Sequence, residues 1–182
     1  MSTPLRTDRL ILRPLQAADL GAFVAYRSDP EVARYQSWDA DYASADAERL
    51  LVEQAGVRLG TPGAWLQLGA TARADGTLVG DCAVHVTRDP PATAEVGVTF
   101  ARAHQGRGLA AEALGAVVGA LFEQHGIHRV VARADERNVA VHRLLERLGF
   151  RCEARFVDAD WFKGAWSTLR VYAMLAREWP PG

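Results

Sequence analysis

Apolar positions along the chain fall into two periods, and the switches between them mark the elements. Residues 9–15, Arg-Leu-Ile-Leu-Arg-Pro-Leu, read as a first strand. Residues 17–28 read as a helix. Asp29-Pro30-Glu31 supplies a cap, a first-turn proline and a first-turn acid for a second, short helix. Ser44 is the expected cap of a helix running to about Leu59, with Leu50, Leu51, Gln54 and Ala55 on its face, ended by Gly60-Thr-Pro-Gly63. Residues 64–74 and 77–87 are strand-like and flank Asp75-Gly76, a strong hairpin signal.

Residues 94–100 alternate as another strand. In residues 108–124, Leu114, Val117, Val118 and Leu121 follow helical spacing. Residues 127–134 form a short buried strand. A helix over 139–148 sets Val141, Leu144, Leu145 and Leu148 on one face and stops at Gly149. Residues 150–158 and 168–176 give two closing strands. This order fits an α+β fold: a central, mostly antiparallel sheet of seven strands with one βαβ crossover, flanked by about four helices. Length and the lack of a linker predict a single domain over 1–182.

Composition narrows the function classes. Apolar residues make up 49% and charged residues 24%, as in globular chains rather than disordered ones. Lys+Arg total 21 against 22 Asp+Glu, so nucleic acid is not an expected partner. No apolar run is long enough for a bilayer, and no signal-peptide core opens the chain. Cys82 and Cys152 lie far apart with no CxxC, so no metal site is expected. Two buried free thiols in a cytoplasmic protein are the default. Twenty of the 21 basic residues are Arg; Lys163 is the sole lysine and Asn138 the sole asparagine. In a chain so biased, the residues that stay outside the bias draw attention.

The segment that carries chemistry is Gln105-Gly106-Arg107-Gly108-Leu109-Ala110, a glycine-rich loop opening a helix. Glycines there let a ligand approach the backbone closely, and the free N–H groups of a helix start favour phosphate. Gly106-x-Gly108-x-x-Ala111 also matches the dinucleotide-binding fingerprint formally. That fingerprint needs the strand to run straight into the first glycine, and here five residues intervene.

The loop resembles the Q/R-x-x-G-x-G/A loop of the GCN5-related N-acetyltransferases (GNATs). Downstream, Asn138-Val-Ala-Val-His-Arg-Leu-Leu-Glu-Arg-Leu-Gly149-Phe150 is similar to that family's N-x-x-[SA] to G-F helix. The first strand and the ending Trp161 to Trp179 resemble the ribosomal-protein N-acetyltransferase (RimJ/RimL-like) branch. The resemblance implies acetyl-CoA as cosubstrate and an amine acceptor, either a protein N-terminus or a small amine. It implies that Gln105, Gly106, Arg107, Gly108, Leu109 and Ala110 hold the pyrophosphate. Val98, Thr99 and Phe100 would pair with pantetheine, Asn138 would bond near it, and Arg143 would reach the 3'-phosphate or stay in solvent.

Glu95 is the implied catalytic base, with a structural carboxylate as the competing reading. Asp81 and His85, four residues apart on one strand face, are further candidates for the acceptor cleft. Tyr35 and Trp38, with Tyr42, fall where the family lines its acceptor entrance. His104, His125, His128 and His142 read as surface residues. Two departures stand out: Leu145 and Val141 occupy positions where members carry a Tyr acid or a Ser. A non-catalytic CoA-binding protein, or an enzyme using another acyl-CoA such as succinyl-CoA, therefore stays open. The branch also suggests a homodimer.

Overall fold

In the computed structural model, which describes residues 4–88 and 92–180, eight strands form one mixed sheet. Its elements are β1 (Leu5–Arg6), β2 (Leu10–Pro14), α1 (Leu20–Arg27), α2 (Pro30–Ala33), α3 (Ser44–Glu53), β3 (Trp65–Ala72), β4 (Leu78–Val86) and β5 (Thr93–Phe100). They continue with α4 (Leu109–Glu123), β6 (Arg129–Asp135), α5 (Val139–Arg147), β7 (Arg151–Phe162) and β8 (Ala165–Leu175). The strand order is β1-β2-β3-β4-β5-β6-β8-β7, antiparallel throughout except for β5 against β6. The α4 crossover joins that parallel pair, as the sequence predicts. The eighth strand is the two-residue β1, too short to show a period.

Two apolar clusters hold the layers. Leu114, Val117, Val118 and Leu121 of α4 pack on the even-numbered positions of β4 and β5 and on Leu145 of α5. Fully burying each such side chain contributes about 1.5–3 kcal/mol. Phe23, Tyr26, Val32, Ala47 and Leu78 form a smaller cluster on the other face, under α1 to α3. Among the described residues, no helix is long and apolar enough to cross a membrane.

Local chemistry corrects several boundaries. Ala43, not Ser44, caps α3, and the Asp46 carboxylate accepts the Ala43 N–H at 2.9 Å. The helix ends at Glu53 rather than Leu59. The Gln54 side chain turns away to accept the Gln67 N–H, and Gly56 follows with a φ of 81°. The last two strands are longer than expected and meet in a two-residue turn, Lys163-Gly164, with φ of 49° and 80°. Positive φ at both positions fits a type I′ hairpin. Lysine is an uncommon choice there, so the turn left no sequence signal. Cys82 is buried as expected, but Cys152 is exposed on edge strand β7.

Candidate active site: a wedge between two parallel strands

The β5–β6 ladder contains only three register pairs, ending at Glu95↔Val131. Beyond it β5 stays with β4 as far as Phe100, while β6 stays with β8 as far as Asp135. The two strands therefore splay, and a cavity of about 500 Å³ opens between them. The Thr93 carbonyl and the Ala101 N–H both bond across to the β4 side. By strand alternation the odd residues of β5 direct their peptide groups to β4, and the even ones direct theirs toward β6. Val98 and the Phe100 N–H thus face the wedge where no described strand meets them, while the Phe100 carbonyl accepts from Gln105. Thr99 does not face it: it is paired with Asp81 of β4. An extended chain with amide groups, such as pantetheine, can complete this half-ladder through Val98 and the Phe100 N–H.

The glycine-rich loop closes one end of the cavity. Gly106 and Gly108 hold φ of 72° and 78°, and Gly108 is the cap of α4 with no side chain bonded to the helix start. The first N–H groups of a 15-residue helix are therefore aimed outward at the positive end of its dipole. Among the described residues, and apart from its chain neighbours, a Cβ built on Gly106 would meet no atom within 4 Å. This geometry suits an anion held by backbone N–H groups. Gln105 lines the cavity too, and one N–H of its Nε2 donates to the Phe100 carbonyl at 2.8 Å. The exposed Arg107 side chain does not line the cavity, whereas Arg143 and Asn138 do. Asn138 also caps α5, its Oδ1 accepting the Val141 N–H at 3.3 Å.

A brace behind the loop has no counterpart in the expected residue set. Arg9 Nη1 donates to the Arg107 carbonyl at 2.9 Å, and Arg9 Nε donates to Glu112 Oε2 at 2.6 Å. Glu112 Oε1 accepts the Arg9 N–H at 2.8 Å and the Thr7 hydroxyl at 2.5 Å. The turn between β1 and β2 thereby fastens the loop to the first turn of α4. Arg9→Ala is expected to weaken CoA by about two- to twelve-fold, matching a net hydrogen bond of about 0.5–1.5 kcal/mol. Calorimetry checks this, and an unchanged dissociation constant would show that the loop holds its shape unaided.

The residues expected at the acceptor cleft lie on the opposite sheet face. Asp81, Ala83 and His85 of β4 stand opposite Thr99, Gly97 and Glu95 of β5. Among the described residues, and apart from its chain neighbours, a Cβ built on Gly97 would meet just the Ala83 Cβ within 4 Å, so a shallow trough crosses the sheet at the splay point. Glu95 borders it, with its side chain 32% exposed and 3.9 Å from Arg133 Nε. His85 borders it too, its ring 5.2 Å from that of Trp65. Neither lines the cavity itself.

Asp81, expected beside His85 at the acceptor cleft, is instead turned into a buried ion pair. It is 1% exposed, accepts from the Tyr26 hydroxyl, and pairs with Arg27 at 3.2 Å. Burial pushes its carboxyl above the ordinary range, opposed by the Arg27 guanidinium and the Tyr26 hydroxyl. Trp38 is likewise structural: its Nε1 donates to the Arg27 carbonyl at 3.1 Å, and its ring lies 3.7 Å from the guanidinium carbon. Tyr35 and Gln36 do line the cavity, as does His104. His142 is buried rather than on the surface, stacked on Tyr172, with Nε2 between the Asp135 and Glu136 carbonyls.

The sequence model of the acetyltransferase (GNAT) domain matches residues 9–151. The chain belongs to the GNAT family. Among curated GNAT relatives, the uncharacterized N-acetyltransferase YoaA of Bacillus subtilis is 30% identical over 171 residues, covering 94% of this chain and 96% of YoaA. The ribosomal protein uS5-alanine N-acetyltransferase of Escherichia coli is 32% identical over 87 residues, 48% of this chain and 45% of that enzyme. This is consistent with the RimJ/RimL-like branch.

Among solved structures, a GNAT acetyltransferase from Bacillus anthracis superposes with a TM-score of 0.86 at 23% identity, over 97% of this chain and 100% of that one. The spermidine N-acetyltransferase of Vibrio cholerae, solved with CoA and spermine, superposes with a TM-score of 0.81 at 17% identity, over 94% and 98%. GNAT enzymes use acetyl-CoA, and this GNAT chain is an acyl-CoA-dependent acetyltransferase. Its α5 wall is apolar at Val141 and Leu145. On the β6 wall, the Arg137 guanidinium holds the Asp135 carboxyl down at about 2, so Asp135 carries no proton to give near neutral pH.

Proposed function

We propose that the protein transfers an acetyl group from acetyl-CoA to a primary amine by direct attack in a ternary complex. The observation that supports this most is the splayed β5–β6 pair, which leaves the Val98 peptide groups and the Phe100 N–H facing a cavity that ends at the loop of Gly106 and Gly108. In this reading the pyrophosphate lies on the loop amides and pantetheine runs along β5. A wedge-facing N–H of β5 polarises the thioester carbonyl. The amine approaches across Gly97 and Ala83, and its nitrogen attacks the thioester carbon. Glu95 takes the amine's proton, directly or through water, as the C–S bond breaks. The leaving thiolate takes its proton from solvent. A thiol of pKa about 8.5 is a workable leaving group without a dedicated acid.

For the acceptor we favour a peptide α-amine. Its pKa of about 7.7–8.0 leaves part of it neutral at pH 7, against little of a lysine side chain near 10.4. A polyamine would call for a cluster of acids. Here the trough offers Glu95, already beside Arg133. We place the reaction in the cytoplasm, in keeping with two unpaired cysteines. The test is thiol release from acetyl-CoA with a panel of peptides beginning with Ala or Ser, spermidine, and no amine. Release with a peptide is expected. CoA binding with no release for any amine would replace this reading with a non-catalytic CoA-binding protein.

A further inference from the structure

The sole lysine of the chain sits at the tip of the β7–β8 hairpin and reaches across to the segment after α2. Lys163 Nζ donates to the Ala33 carbonyl at 2.7 Å and to the Trp38 carbonyl at 2.6 Å, and lies 3.2 Å from Asp39 Oδ1. The two carbonyls bracket a short loop, residues 34–37. Within that bracket lie Tyr35 and Gln36, the residues that this loop contributes to the cavity wall. The far side of the bracket is anchored independently by Trp38, stacked on the buried Arg27.

We propose that Lys163 is a positioning residue for the acceptor wall: its ammonium fastens both ends of the 34–37 loop and so holds Tyr35 and Gln36 in the cavity. The proposal rests on the reading of that cavity as the acyl-transfer site.

The chemistry explains why a lysine persists where every other basic residue is arginine. A compact ammonium directs three donors tetrahedrally, one for each of two carbonyls and a carboxylate. A planar guanidinium is built for two parallel acceptors and does not match that set. The hairpin geometry serves the same end. The two-residue turn places Lys163 at φ 49°, at the outermost point of two long paired strands. The side chain is 27% exposed, so the latch is partly shielded from water, and Asp39 at 74% is its wet edge. The two carbonyl bonds therefore carry the latch, and the exposed ion pair adds little.

The test compares the native protein with Lys163→Met and Lys163→Arg. Hydrogen exchange of residues 33–39 is read first, because it needs no substrate. It is expected to quicken about tenfold or more in Lys163→Met, with the α4 and β5 amides unchanged, from the loss of one to two charge-assisted bonds. With the best peptide from the acceptor panel, the acceptor KM is expected to rise about tenfold while the CoA dissociation constant stays within about twofold. Lys163→Arg is expected to restore neither value fully. Exchange in 33–39 within about twofold of native, or an unchanged acceptor KM in a variant that loosens the loop, would overturn the proposal. So would full rescue by arginine. Failure of the function reading looks different: no thiol release in the native protein, with the exchange result still deciding whether the latch exists.

Discussion

Asp81→Ala is expected to lower the unfolding free energy by about 3–5 kcal/mol, the usual cost of stranding one partner of a buried ion pair. Asp81 is the carboxylate paired with Arg27, which is itself 3% exposed. The guanidinium is packed 4.1 Å from the Phe23 ring and 3.7 Å from Trp38, and its Nε has no hydrogen-bond partner among the described residues. Without the carboxylate the charge would stay buried with no counter-charge, left to ring faces and tyrosine hydroxyls, and the Tyr26 hydroxyl would lose its acceptor. Urea unfolding measures the loss. Arg27→Met combined with Asp81→Leu should recover most of it, since an apolar pair of similar volume needs no counter-charge. A loss below about 1 kcal/mol, accompanied by a large fall in turnover, would return Asp81 to the acceptor side and contradict the structural role.

Glu95→Gln is expected to lower the turnover number by roughly 10²–10⁴, the range for removing a general base. The substitution keeps shape and leaves the loop at 105–110 untouched, so CoA affinity should hold. The rate should recover in part at high pH, where more of the amine is already neutral. Glu95 is the last β5 residue paired to β6, and it shares a sheet face with the Gly97 trough. A carboxylate that served only to pair Arg133 across 3.9 Å would behave differently. Such an exposed pair is worth about 0–1 kcal/mol, so its loss would leave the rate nearly unchanged. Turnover within about threefold of native in a stable variant would transfer the base role to His85, the neighbour across the strand.

The sequence made the crossover and its loop legible, because glycines at a helix start and an isolated asparagine at another helix start leave few alternatives. Helical spacing in α4 and α5 and the Asp75-Gly76 turn placed most of the sheet. What it hid were interactions between distant segments. Asp81 and His85 read alike as polar positions on one strand face, and only the packing of α1 separates them, burying one and leaving the other half-exposed. Arg9 read as the edge of a strand, with nothing to show that it would brace Arg107 nearly a hundred residues on. Trp38 and Tyr35 read as a pair, yet one grips Arg27 and the other lines the cavity. The lone lysine was visible as an oddity of composition. Its partners, about 125 and 130 residues away, were not.

The central claim is that the Gly106–Gly108 loop and the β5–β6 wedge hold the CoA moiety. The most direct test is calorimetric titration of CoA into the native protein and into Gly106→Ala. Chain neighbours aside, a Cβ at Gly106 has no atom of the described residues within 4 Å, so in the folded protein it can disturb little but a ligand, apart from about 1–2 kcal/mol of left-handed backbone strain. Alanine is a cleaner probe than a β-branched residue, which tolerates a positive φ still less. One CoA per chain is predicted for the native protein. For the folded variant, confirmed by its melting curve, binding should be at least about tenfold weaker, a loss of about 1.4 kcal/mol or more. Equal affinity in the two folded proteins would contradict the account and send the phosphates elsewhere.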